Sequence, residues 1–88
     1  MEFSQLKNKF YDIDAVRASP EAIVVYLKGT RLFEPKKYKI CKNGKIWEEN
    51  DFGPIKLMDN ADIETMFLFL TKLRELWEAR NDVREFKE

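Results

Sequence analysis

The tetrapeptide Lys42-Asn43-Gly44-Lys45 is the feature that most restricts the fold of this chain. Asn-Gly between two patterned runs is the strongest short signal for a β-hairpin, because a type I′ turn needs positive φ at both central residues. A two-residue loop also fixes the strand register, so we expect Cys41 to pair with Ile46. In this register the core face of the hairpin consists of Tyr38, Ile40 and Trp47.

Further strands are expected N-terminal to the hairpin. Residues 12–18 alternate in polarity, which predicts a strand. Residues 23–27 are apolar throughout and rich in β-branched types, which predicts a strand buried on both faces. Ser19-Pro20 before this run also fits a helix start, but the stiff side chains favour the strand. Leu32-Phe33 is expected to return to the sheet.

Helical spacing marks the two ends of the chain. Apolar residues predict a short helix over residues 2–10. A second helix is predicted over about residues 60–86, and its apolar segment 66–70 should be deeply enclosed. At about 1.5 Å per residue it would be roughly 40 Å long, so we expect it to overhang the domain or to break near residues 79–82. Residues 50–58 between the hairpin and this helix are expected to form an irregular loop, with Phe52 in the core.

These elements predict an α+β fold in a single domain spanning residues 1–88. The expected architecture is a small two-layer domain. It consists of an antiparallel β-meander of about four strands, with a short N-terminal helix and a long C-terminal helix packed on one face. No apolar run approaches the length of a bilayer-spanning helix. The N-terminus lacks the pattern of a secretory signal. We therefore expect a cytoplasmic protein without a membrane partner.

The composition argues against catalysis. The chain has no histidine and a single cysteine, which excludes His-based triads, His-ligated metals and a four-cysteine zinc site. Glycine-rich phosphate loops are absent. The carboxylates Asp59, Asp62 and Glu64 suit the start of a helix better than a cation site, and Cys41 suits packing better than redox chemistry. We expect a non-enzymatic protein without cofactor or metal.

Charge is unevenly distributed although basic and acidic residues balance at 16 each. Residues 28–45 hold seven basic residues and one acidic residue, a net charge of +6. Lysines interleaved with aromatic residues are typical of proteins that bind single-stranded nucleic acid. The candidate contacts are Lys36, Lys37, Lys39, Lys42 and Lys45. The expected core position of Trp47 and the acids Glu48 and Glu49 on the partner strand count against this hypothesis.

The C-terminal helix supports the preferred hypothesis, a protein–protein interaction or regulatory module. An overhanging helix would present apolar side chains to a protein partner or to a second copy of the chain. The candidate contacts are Trp77, Val83 and Phe86. The alternative is that these residues pack on the sheet of their own domain.

Overall fold

The computed structural model describes residues 2–6 and 16–85, with residues 81–85 described by their backbone only. Their elements are α1 (Phe3–Leu6), β1 (Val16–Ala18), β2 (Ala22–Leu27), β3 (Lys36–Cys41), β4 (Ile46–Asn50), β5 (Gly53–Met58) and α2 (Ile63–Glu85). The strands form one antiparallel sheet in the order β1-β2-β3-β4-β5. This arrangement confirms the predicted α+β meander with a short first helix and a long last helix. Within the described ranges, neither helix is long and apolar enough to cross a membrane.

Both helices contribute to a hydrophobic core on one face of the sheet. Side chains from β2, β3 and β4 pack there against α1 and α2, and Tyr38 meets Phe69 edge-on with ring centroids 5.7 Å apart. Burial raises the pKa of the Tyr38 hydroxyl, and the neighbouring carboxylate of Glu48 raises it further. The buried members of this core are Phe3, Leu6, Ile23, Val25, Leu27, Tyr38, Ile40, Ile46, Met66, Leu70 and Leu73.

The hairpin between β3 and β4 forms as predicted, but its loop has three residues instead of two. The Cys41 amide donates to the Lys45 carbonyl at 2.8 Å, and the Gly44 amide donates back to the Cys41 carbonyl at 3.0 Å. Gly44 has a φ of +97°, whereas Asn43 does not have positive φ. This pattern is a type I turn followed by a glycine bulge, so the type I′ prediction was wrong.

The longer loop shifts the strand register by one residue. Ile40 pairs with Ile46 and Lys39 pairs with Trp47, whereas the two-residue loop would have paired Ile40 with Trp47. A shift of one residue moves every side chain of a strand to the opposite face. Ile46 is therefore fully buried in the core, and the predicted core position of Trp47 was wrong.

Contacts with the start of α2 hold this register in place. The Ala61 amide donates to the Gly44 carbonyl at 2.9 Å. A Cβ atom at Gly44 would lie 3.0 Å from the Ala61 carbonyl oxygen, which leaves no space for a side chain at this position. The bulge glycine therefore joins the hairpin to the helix, a long-range contact that the local Asn-Gly pattern does not reveal.

Several other predictions need correction. Residues 53–58 form strand β5 instead of an irregular loop, which raises the strand count to five. Phe52 is 94% exposed in the turn before β5 and does not enter the core. Leu32-Phe33 lies in a bend outside the sheet, where both amides donate to the Thr30 hydroxyl at 3.1 Å.

Strand β2 and helix α2 also differ in detail from expectation. Tyr26 is 39% exposed, so β2 is not buried on both faces. Helix α2 continues through residues 79–82, so the break, one of the two expected alternatives, does not occur. Leu68 is 64% exposed, so segment 66–70 is not enclosed on all sides. The predicted parts of the first helix beyond Leu6 and of the first strand before Val16 lie outside the described residues.

Arg80 fixes the far end of α2 to the loop between β2 and β3. Its side chain is only 9% exposed. Its guanidinium Nη1 donates to the carbonyl oxygens of Lys28 at 2.8 Å and Glu34 at 3.0 Å. The guanidinium carbon also lies 5.0 Å from the ring centroid of Phe33. The loop is therefore held in place by one buried cation.

Candidate functional site

The sheet has a second face, opposite α2, which we call the open face. Directly paired residues of antiparallel strands project to the same face, so the register identifies its members. In the described part of the chain, both helices pack on the core face. The charged and aromatic members of the open face are Arg17, Tyr26, Lys37, Lys39, Trp47, Glu49 and Lys56.

One row of this face crosses all five strands. Arg17 pairs with Val24, Val24 with Lys39, Lys39 with Trp47, and Trp47 with Lys56. The Lys56 ammonium lies 5.9 Å from the Trp47 ring centroid, which is a cation–π contact. The indole therefore lies between two lysines, and an arginine stands at the far edge of the same row.

A second row runs parallel to the first. Tyr26 pairs with Lys37, and Lys37 pairs with Glu49. The Lys37 ammonium lies 5.6 Å from the Tyr26 ring centroid and 3.4 Å from Glu49 Oε1. From a strand spacing of about 4.8 Å and a rise of about 3.3 Å per residue, the Tyr26 and Trp47 backbones are roughly 12 Å apart. The two rings are therefore separate platforms on one surface.

The open face is positively charged although the whole chain is neutral. Its four cations (Arg17, Lys37, Lys39 and Lys56) outnumber its one carboxylate (Glu49), a net charge of +3. Lys37 is paired with that carboxylate, and Lys56 pairs with Asp59 at 3.3 Å. The face thus concentrates positive charge around two aromatic rings.

The five lysines predicted from the sequence do not form one cluster. Lys37 and Lys39 lie on the open face. Lys36 projects to the core face, where it pairs with Glu48 at 3.3 Å. Lys42 lies in the hairpin loop at one end of the sheet, and Lys45 follows that loop directly. Tyr38 is in the core, as predicted.

Sequence reasoning missed three members of this face, Arg17, Tyr26 and Lys56, and placed a fourth, Trp47, in the core. Tyr26 was assigned to a strand buried on both faces, and Lys56 to an irregular loop. A signal for Tyr26 was available, because a polar hydroxyl within an otherwise aliphatic run is typical of the half-exposed side of a strand. Lys56 could be found only after residues 53–58 are recognised as an edge strand.

The residues predicted on the C-terminal helix have different environments. Trp77 is half-buried against the core, and the Lys28 ammonium lies 5.7 Å from its ring centroid. Val83 lies within α2, but its side chain is outside the described part of the structure, and Phe86 lies beyond the described residues. The exposed leucines of this helix are instead Leu68 at 64% and Leu76 at 48%.

Asp62, one of the acidic residues near the start of α2, has a structural role. The Asp62 carboxylate accepts a hydrogen bond from the Thr65 amide at 2.8 Å, which is the geometry of a helix N-cap. Hydrogen bonds from Thr65 lower the pKa of Asp62 below its ordinary value of 3.8. The resulting stabilisation is present above that ordinary pKa and is lost as the pH falls through the lower folded pKa. Among the described residues, no group of three or more acidic or cysteine side chains could hold a metal ion.

Comparisons with known protein families, with curated proteins and with solved structures find no match for this chain. Its function must therefore be argued from its own residues. The open face brings two aromatic rings and four positively charged side chains together on one surface.

Proposed function

We propose that this protein binds single-stranded nucleic acid through the open face of its sheet. The observation that carries the proposal is the β3–β4 register, because it brings Trp47 to the face that holds Lys39 and Tyr26. Proteins of this class combine a basic surface that follows the phosphates with rings on which bases stack. The proposed function is binding without catalysis.

The two rings are available for stacking through an exchange of partners. In the free protein, Lys56 lies near the ring of Trp47 and Lys37 lies near the ring of Tyr26. An incoming base can replace the ammonium over the ring, and the displaced ammonium can then move to a neighbouring phosphate or to the edge of that base. Flexible lysine side chains suit this exchange, since they act as mobile point charges.

Single strands are preferred over duplexes because stacking needs accessible base faces. In a duplex, the base faces are covered by neighbouring pairs, so aromatic side chains of a sheet reach them only in unpaired segments. Binding to a duplex would use the four cations alone. We therefore expect duplex affinity to be weaker than single-strand affinity at equal salt.

The direct test is fluorescence anisotropy with a labelled mixed-sequence oligonucleotide, as single-stranded RNA, single-stranded DNA and duplex. Four phosphate contacts to a single strand give a slope of about −3 in log affinity against log salt. Affinity should therefore fall about 50-fold between roughly 50 and 200 mM salt. Absence of binding at the lower salt concentration would refute the proposal.

Matched variants distinguish binding through the open face from non-specific electrostatic binding elsewhere on the protein. Trp47→Ala should weaken binding about tenfold or more, since stacking contributes about 1–3 kcal/mol per base. Phe52→Ala, which removes an aromatic ring that is 94% exposed in the turn between β4 and β5, should leave binding unchanged. Lys39→Glu should weaken binding, whereas Lys72→Glu, on exposed helix surface, should have little effect. If the two variants of each matched pair lost the same amount of binding affinity, the open face would not be the binding surface.

Self-association through α2 is a second candidate function, favoured by the exposure of Leu68 and Leu76. These leucines are two helical turns apart, and the exposed residues Lys72 and Glu75 lie between them. In an antiparallel pair of α2 helices, each leucine can meet the other leucine of the second copy. The two Lys72 side chains then face each other across the two-fold axis, and each can approach Glu75 of the other copy, which offsets their repulsion.

Light scattering over a range of protein concentrations tests this second candidate. A dimer should form as concentration rises, and Leu76→Glu should abolish it by placing a charge in the apolar contact. Leu32→Glu is the matched control, since Leu32 is 68% exposed in the loop between β2 and β3. A monomer at every concentration, or equal effects of both substitutions, would rule out pairing through α2.

A further inference from the structure

The second row of the open face borders a cleft at the end of the sheet. This cleft is shallow and largely open to solvent, with a volume of about 400 Å³, and its lining includes Tyr26, Lys37 and Glu49. A single nucleobase can therefore reach it directly from solvent. The cleft thus brings an aromatic ring, an ammonium and a carboxylate together around one small volume.

Two of the charged residues that line this cleft, Lys37 and Glu49, present a donor beside an acceptor. Lys37 Nζ lies 3.4 Å from Glu49 Oε1. The side chains of both residues are accessible, with 38% and 43% of their surface exposed. Tyr26 supplies a ring 5.6 Å from the same ammonium. A base stacked on Tyr26 would direct its hydrogen-bonding edge along the row towards Lys37 and Glu49.

We propose that this cleft is a guanine-selective base site, an inference that rests on the proposed function of the open face. The edge of guanine carries a carbonyl oxygen next to a ring N–H and an exocyclic amino group. The Lys37 ammonium can donate to the carbonyl, while the Glu49 carboxylate accepts from both nitrogens. Paired hydrogen bonds of this kind discriminate among bases.

The other bases match this pair of groups less well. Thymine and uracil place a carbonyl on each side of their ring N–H, so one carbonyl can accept from Lys37 while the other repels the Glu49 carboxylate. Adenine and cytosine offer an amino group, but the neighbouring ring nitrogen is an acceptor, so the carboxylate gains only one hydrogen bond. A charged acceptor left without a full set of donors loses affinity because it has been partly desolvated.

The test uses four short labelled oligonucleotides: an oligothymidylate, and the same strand with one central guanine, adenine or cytosine. The guanine strand should bind about tenfold or more tightly than the oligothymidylate, with adenine and cytosine between them. Glu49→Gln should reduce this guanine preference to about twofold, and binding of the oligothymidylate should tighten because the carboxylate that repels it has been removed. Glu64→Gln, which removes the same charge from exposed helix surface, should keep the preference.

The outcomes distinguish this site from the function on which it rests. Equal binding of all four strands would overturn the base site and leave single-strand binding in place. A guanine preference that survives Glu49→Gln would also overturn the assigned site. If no strand binds, the proposed function fails, and the base site fails with it. Matching thermal unfolding of the variants and the parent chain excludes loss of folding as the cause.

Discussion

Replacing Ile46 with alanine should destabilise the domain by about 2–5 kcal/mol. Ile46 is fully buried and pairs directly with Ile40, which is also fully buried. Removing most of its side chain leaves a cavity between β4 and the helix layer, so both transfer free energy and packing contacts are lost. Urea denaturation followed by circular dichroism measures the change.

Comparing Trp47→Ala with Ile46→Ala in the same experiment tests the hairpin register. Trp47 is half-exposed on the open face, where a cross-strand contact contributes about 1 kcal/mol or less. In the two-residue-loop register, Trp47 would be the core residue, and its replacement would cost about 3–5 kcal/mol. A larger loss for Trp47→Ala than for Ile46→Ala would therefore reject the observed hairpin register and the open face built on it.

Arg80→Ala should lower the free energy of unfolding by about 3 kcal/mol. The substitution removes two hydrogen bonds from a buried guanidinium to the Lys28 and Glu34 carbonyls, and hydrogen bonds to charged groups contribute about 1.5–3 kcal/mol each. The two carbonyls would also lose their partner within a loop that lies outside the sheet. Arg80→Lys should recover only part of the loss, since an ammonium lacks the planar fork of donors.

Lys72→Ala is the control for Arg80, because it shortens an exposed basic side chain on the same helix. Its effect should stay within about 0.5 kcal/mol. If Arg80→Ala were as mild as Lys72→Ala, the guanidinium would not be what anchors the loop between β2 and β3. Hydrogen exchange at residues 28–35 would report the same anchoring locally, with faster exchange expected in Arg80→Ala.

The presence of the hairpin could be predicted from local sequence, but its register could not. Asn-Gly fits both a two-residue loop and a three-residue loop, and the two differ in the φ of Asn43. The hydrogen bond from Ala61 to Gly44 favours the longer loop, and these residues come together only after α2 has packed. The side on which Trp47 lies therefore depends on tertiary structure.

Strand β5 was missed because Gly53-Pro54 is an ordinary chain breaker in the middle of a sheet. At the edge of a sheet, proline is tolerated because no neighbouring strand needs the N–H donor that proline lacks. For the same reason, only part of the candidate site could be predicted from the sequence. Lys37 and Lys39 belong to β3, a strand that the sequence pattern predicted. Lys56 belongs to β5, which the sequence pattern did not predict.

The β5 edge of the sheet is poorly suited to the addition of another strand. Strand β5 contains Pro54 and Lys56 and has a register irregularity opposite Ile46 and Trp47. Proline, lysine and bulges each discourage a foreign chain from pairing. This edge therefore has a built-in barrier to amyloid-like growth, and fibrils that grow by adding strands to β5 are not expected even though the strand is rich in apolar residues.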